Sequence, residues 1–191
     1  QEPSTKGEAA LLTLGSCILI HPDYPLERFV QHDFEVLRSV CRNITLLADT
    51  DDTALMASQV LNRQLALGKQ PFSLHRHSTA EMQAALRQHP KTLVGYGAAA
   101  IHQVREDLLG WRQEAPPGVE MLDMDVIDLT WLDSNVHGAR HAYFNVNRWL
   151  VDDIREILTT GKRAAQRANR LFHRAQNVWS FLAAPKFVVT N

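Results

Sequence analysis

The stretch Ile44-Thr45-Leu46-Leu47-Ala48-Asp49-Thr50-Asp51-Asp52-Thr53-Ala54-Leu55-Met56-Ala57-Ser58 decides the fold class. Its first five residues form a short apolar run, which suits a strand covered on both faces of a parallel sheet. The acidic segment from Asp49 to Thr53 then reads as a polar loop that can also cap a following helix. That helix is expected over Ala54 to Leu67, with Gly68 as its C-terminal breaker.

The same alternation extends in both directions. Upstream, Leu11 to Ile20 (LLTLGSCILI) is a nearly continuous apolar run ended by His21-Pro22-Asp23-Tyr24-Pro25, a second buried strand. Between the two strands, Leu26, Phe29, Val30, Phe34, Leu37 and Val40 recur at helical spacing. Downstream, helices are expected over Ser78 to Gln88 and Ala98 to Trp111, with a brief strand at Thr92 to Val94 between them. Ala115-Pro116-Pro117-Gly118 reads as a linker, and Val119 to Leu129 as the last strand. Asn147 to Leu158 has an amphipathic pattern, with Trp149, Leu150, Ile154, Ile157 and Leu158 on its apolar side. Strands alternating with helices predict an α/β domain with a mostly parallel sheet flanked by helices, unfinished at its N-terminal edge. A division at residue 160 separates this domain from a basic helix and an apolar tail over residues 161–191.

Composition narrows the function classes. Of 191 residues, 45% are hydrophobic and 21% charged, and 20 basic against 21 acidic side chains leave a net charge of −1. Such a balance argues against nucleic acid as a whole-chain partner. No apolar run reaches eighteen residues, so the sequence predicts nothing transmembrane. Cys17 and Cys41 lie in or beside apolar runs and are read as two buried thiols, which fits an intracellular location, cytoplasmic or organellar. No spacing of Cys and His suggests a metal, and no cofactor is expected. The chain begins Gln1-Glu2-Pro3, as a trimmed or processed polypeptide does, and no signal peptide is visible.

In an open parallel sheet, functional groups gather at the carboxyl ends of strands. Three loops there carry chemistry: Asp23 in the first, Asp49, Asp51 and Asp52 in the second, His137 and His141 in the third. An acid after one strand and a histidine after a later one is the chain order of the Ser…Asp…His triad. The bland readings stand beside this. Asp52 also suits a helix N-terminus, Asp23 suits a structural role, and His137 with His141 lacks a third metal ligand. His75 and His77 around Arg76 fit a solvated loop, and Gly95-Tyr96-Gly97 lacks phosphate-loop spacing. Lys162, Arg163, Arg167, Arg170 and Arg174 read as a solvated helix face, with contact to an acidic partner or anionic lipid the minority reading.

The motif ITLLADTDDTALMAS resembles the strand, acid loop and helix of a subgroup of α/β-hydrolases of unknown function. DMDVIDLTWLDSNVHGARHAYFNVNRWLVDDIREIL similarly resembles that subgroup's final strand, histidine loop and closing helix, and GSCILIHPDYPLERF its preceding strand. The resemblance covers most of residues 10–160. It implies Asp52 as the triad acid and His141, within His141-Ala142-Tyr143-Phe144, as the catalytic histidine. It also implies an esterase- or lipase-like activity on an ester or lipid substrate. The family's GxSxG elbow and oxyanion loop belong upstream of Leu11, and Gly15-Ser16-Cys17 is no elbow, having no second glycine. The chain is therefore expected to be the C-terminal part of a serine hydrolase, its nucleophile on a missing N-terminal half or a partner chain. The alternative is a catalytically inactive accessory subunit of a larger assembly. A small flavodoxin-like binding domain is a third reading.

Overall fold

The computed structural model describes residues 13–71, 74, 121–130, 132, 147–167 and 169–181. The expected helices and strand between residues 78 and 111 lie outside them. Among the described residues five strands, β1 (Leu14–Ile20), β2 (Cys41–Ala48), β3 (Asp125–Asp128), β4 (Leu171–Ala175) and β5 (Val178–Phe181), make one sheet in the order β1-β2-β3-β5-β4. The first three and β5 run parallel, whereas β4 is antiparallel to β5. The fold is α/β with a mostly parallel sheet.

Why the Ile44–Ala48 part of β2 is buried throughout is visible in its alternation. Ile44, Leu46 and Ala48 pack on one face with Leu26, Phe29, Val30 and Phe34. Leu47 points to the other face, with Ile127, Leu129, Leu150 and Phe181. Helices cover both faces, so both sets must be apolar; each fully buried Leu or Ile contributes about 1.5–3 kcal/mol. The first face is covered by α1 (Leu26–Arg28) and α2 (Phe34–Val40), joined by a π-helical turn at Phe29–Asp33. The second is covered by α4 (Arg148–Thr160), whose N-cap Asn147 accepts the Leu150 N–H at 3.2 Å. It ends at Gly161, which adopts φ +66° and bonds back to Ile157 O at 2.9 Å.

Several expectations differ from the structure for physical reasons. Among the described strands β1 lies at the edge, and its side chains are all half-buried or exposed, not covered on both faces. Helix α3 (Thr53–Asn62) stops earlier than predicted, at Arg63 in the left-handed region (φ +52°). Tertiary backbone bonds take over there. Leu26 N–H donates to Leu65 O and Leu67 N–H to Tyr24 O, both at 2.8 Å, pulling residues 65–69 onto the β1–α1 loop as a 3-10 turn at Leu67–Lys69. Gly68 is thus a packing glycine, not a helix terminator.

On α4, Leu150 and Ile157 are buried, but Trp149 and Leu158 are exposed, so the apolar stripe is narrower than predicted. The basic run is not a helix. It forms a 3-10 turn (Ala164–Arg167) and then β4, and its arginines are paired. Arg167 clasps Asp153 through Nε at 2.8 Å and Nη2 at 3.2 Å, both side chains fully buried. Arg170 meets Glu156 at 2.9 Å, Arg163 meets Asp123 and Asp125, and Arg174 meets Asp128. The start of the expected apolar tail, Val178–Phe181, is β5, within the same sheet. No helix among the described residues is long and apolar enough to cross a membrane.

Candidate functional site

The carboxyl ends of β1, β2 and β3 come together because the strands are neighbours and parallel. The β1–β2 ladder continues one residue past β1, where His21 N–H donates to Leu47 O at 3.1 Å. His21 then turns the chain with φ +42°, a left-handed conformation that costs a non-glycine residue about 1–3 kcal/mol. The residue before a proline normally stays extended, so Pro22 adds to the strain. The corner is held from outside by Gly68, whose N–H donates to Pro22 O and whose carbonyl accepts from Asp49 N–H, both at 2.9 Å.

After β2 the backbone turns through Asp49, whose Oδ1 accepts the Asp51 N–H at 2.8 Å. The chain then enters α3 with Asp52 as its N-cap. Asp52 Oδ1 accepts the Leu55 N–H at 3.0 Å, and Oδ2 lies 3.1 Å from His21 Nδ1. Both side chains are inaccessible, at 1% for His21 and 0% for Asp52. The Lys69 ammonium donates to the carbonyls of Thr50 and Asp52, tying the 3-10 turn to the acid loop. After β3, Thr130 N–H donates to Asp128 Oδ1 at 2.9 Å, the same local turn as at Asp49. The Thr50 N–H donates to Thr130 Oγ1 at 3.2 Å, and the two hydroxyls are 3.1 Å apart. Three strand ends and one returning turn therefore form a single hydrogen-bonded rim.

Comparison with known proteins adds no assignment. No protein-family model, no curated protein and no solved structure matches this chain. What the rim can do rests on its own chemistry.

Asp52 has the cap role that its position before α3 foretold, and it also holds an imidazole. The imidazole is His21, which sequence reasoning passed over in favour of Asp23. The signal was there: His21 follows the apolar run of β1 directly and precedes the double proline, at the end of the sheet where groups converge. Asp23 instead accepts the Ser58 hydroxyl at 2.6 Å on the exposed side, a structural link between the β1 loop and α3. His137, His141, His75, His77 and the Gly95–Gly97 segment lie outside the described residues.

Nucleophiles other than an external one find little support in the described residues. Ser58 is engaged with Asp23, and Ser39 with Val36 O, and neither meets an imidazole. Cys17 and Cys41 are free thiols. Burial, then the neighbouring Cys41, pushes the Cys17 thiol above its ordinary value of 9.0, so it stays protonated at neutral pH. No cluster of three or more metal-ligating side chains occurs among the described residues. The arrangement at the rim is a buried carboxylate hydrogen-bonded to a buried histidine ring, each able to fix the orientation of the other.

Proposed function

We propose that this chain supplies the acid–base half of a serine-hydrolase site of the esterase or lipase kind. The observation that carries the reading is Asp52. Its carboxylate is fully buried at the carboxyl end of β2, with one oxygen on a backbone amide and the other on an imidazole. In this reading Asp52 is the acid, and His141, in the loop that follows β3 in sequence, is the general base. An acid held in this way fixes the tautomer of the base and stabilises the imidazolium formed as the base takes the serine proton. The parallel adjacency of β2 and β3 supports the pairing, because the two strands end side by side, at Ala48 and Asp128. The serine and its oxyanion donors belong to residues outside this chain, and the substrate is an ester, a lipid ester included.

A second reading has its own observation. Among the described strands β1 is a seven-residue strand at the sheet edge, with no fully buried side chain, and such an edge invites pairing with another strand. A hydrolase-like subunit kept for assembly, without catalysis, would use that edge.

One experiment separates the two. The protein is purified with the chains that accompany it, treated with a fluorophosphonate probe and resolved by denaturing electrophoresis and intact mass. Label on a longer or accompanying chain, lost in Asp52→Asn and in His141→Ala, is the expected result. A stable complex in which nothing is labelled overturns the hydrolytic reading and leaves the assembly role.

A further inference from the structure

The hydrolytic reading gives Asp52 a base to orient but leaves His21 without a task. His21 is a costly residue to keep. It stands in a left-handed conformation before Pro22, its ring is buried, and its backbone is packed against Gly68 so closely that a Cβ there would lie 2.5 Å from His21 C. An arrangement in which strain, burial and close packing converge on one side chain, itself bonded to the candidate acid, points to a function of that side chain.

The geometry at Asp52 specifies what the function is. A triad acid must present a fixed lone pair to its base, and a carboxylate on a single Cβ is free to rotate unless both oxygens are held. The Leu55 amide holds Oδ1 at 3.0 Å, and His21 Nδ1 holds Oδ2 at 3.1 Å. The Lys69 ammonium, on the Thr50 and Asp52 carbonyls, fixes the backbone from which the carboxylate projects. Because its ring is buried, His21 is itself out of reach of a substrate.

We propose that His21 is a positioning residue: as the neutral Nδ1–H tautomer it donates to Asp52 Oδ2 and locks the carboxylate in the rotamer that orients the catalytic base. The proposal rests on the reading of Asp52 as the acid of a hydrolytic site. An ionised carboxylate only accepts, so a carboxylate at Asp52 calls for the Nδ1–H tautomer. Exchanging it for an amide that presents N–H toward the ring favours the opposite tautomer.

Two measurements test this on the full chain with its accompanying chains. In the first, two-bond proton–nitrogen correlation of protein labelled with 15N-histidine reads the His21 tautomer directly. Nδ1–H is expected in the unmodified protein and Nε2–H in Asp52→Asn. Nε2–H or a doubly protonated ring in the unmodified protein at pH 7 overturns the positioning proposal and leaves the hydrolytic reading standing. In the second, the rate of fluorophosphonate labelling is compared in His21→Asn and His21→Leu. Asparagine tolerates the left-handed backbone and sets an N–H donor where Nδ1 was, whereas leucine offers no donor. His21→Asn is expected to keep at least half of the rate and His21→Leu to lose tenfold or more, with both variants folded by circular dichroism. Equal rates in the two folded variants, or an equal loss in both, overturn the proposal. Absence of labelling in the unmodified protein overturns the hydrolytic reading, and the positioning role falls with it even where the tautomer is as stated.

Discussion

Replacing Gly68 by alanine adds one methyl group and is expected to damage the rim more than most substitutions in the core. The added Cβ would lie 2.5 Å from His21 C, 2.6 Å from Pro22 N and 2.8 Å from His21 Cα. Carbon contacts settle near 3.5–4.0 Å, so the shortfall is roughly 1 Å. All three atoms are backbone, so no side-chain rotation relieves the overlap. Either the Leu67–Lys69 turn or the His21 corner must move, and the two are joined by Gly68 N–H to Pro22 O and Asp49 N–H to Gly68 O, each 2.9 Å. A displacement of that size breaks bonds worth about 1 kcal/mol each, on top of about 1–3 kcal/mol of overpacking.

Against this, Gly68 is not among the residues with positive φ, so alanine suits its backbone and gains about 0.4–1 kcal/mol from a less flexible unfolded chain. The net expectation is a loss of about 2–4 kcal/mol. Urea unfolding followed by the fluorescence of the four tryptophans measures it. Stability equal to or above that of the unmodified protein would refute the claim that this turn seats the His21 corner.

Three further outcomes are expected from the ion pairs. Arg167→Met strands the fully buried Asp153 and should cost about 3–5 kcal/mol at neutral pH by urea unfolding, whereas Arg167→Met with Asp153→Leu should recover most of it. A single-variant loss below about 1 kcal/mol would mean that Arg170, 4.0 Å away, replaces it. Glu156 is held below its ordinary value of 4.5 first by the Lys162 hydrogen bond. Its contribution is complete above that value and is lost as pH falls through the depressed one, so Lys162→Met should flatten the loss of stability below about pH 4.5. Asp153 has the opposite sign. Burial, outweighing Arg167, raises its carboxyl above 3.8, so the folded state holds the proton more tightly and acidification through the raised value stabilises it. Asp153→Asn should remove that component from the urea midpoint measured across the acid range.

The layered class was legible because burial on both faces leaves a plain mark in a sequence. Ile44 to Ala48 is apolar apart from Thr45, and its faces are both covered. What escaped reading was set by groups distant in the chain. Whether Leu14 to Ile20 lies inside the sheet or at its edge depends on a neighbour that local pattern cannot name. The end of α3 was misread at Gly68 because the bonds from Leu65 and Leu67 to residues 24–26 compete with the helix, and only the fold brings them together. The arginines of residues 163–174 looked like a solvated face because their partners, Asp123, Asp125, Asp128, Asp153 and Glu156, lie 14 to 46 residues away or across a turn. At the site, Asp52 was legible as the cap of α3. His21 was not, because its importance arises from a strained corner and from Gly68, neither of which has a sequence motif.

The cap role of Asp52 and its proposed role as an acid do not compete. A cap needs one carboxyl oxygen facing the first turn, and Oδ1 on Leu55 N–H supplies it. Orienting an imidazole needs the other, and Oδ2 supplies that. The positive end of the α3 dipole lies at this carboxylate. An acid placed one residue earlier, at Asp51, lies in the turn bonded to Asp49 and has no such helix end beneath it. The position before Thr53 is therefore the one place in the loop where local helix energetics and the needs of an acid–base pair select the same residue. Asparagine caps a helix as well as aspartate does. The charge of Asp52 can thus be removed with the helix intact, and whatever then changes at His21 belongs to the pair rather than to the fold.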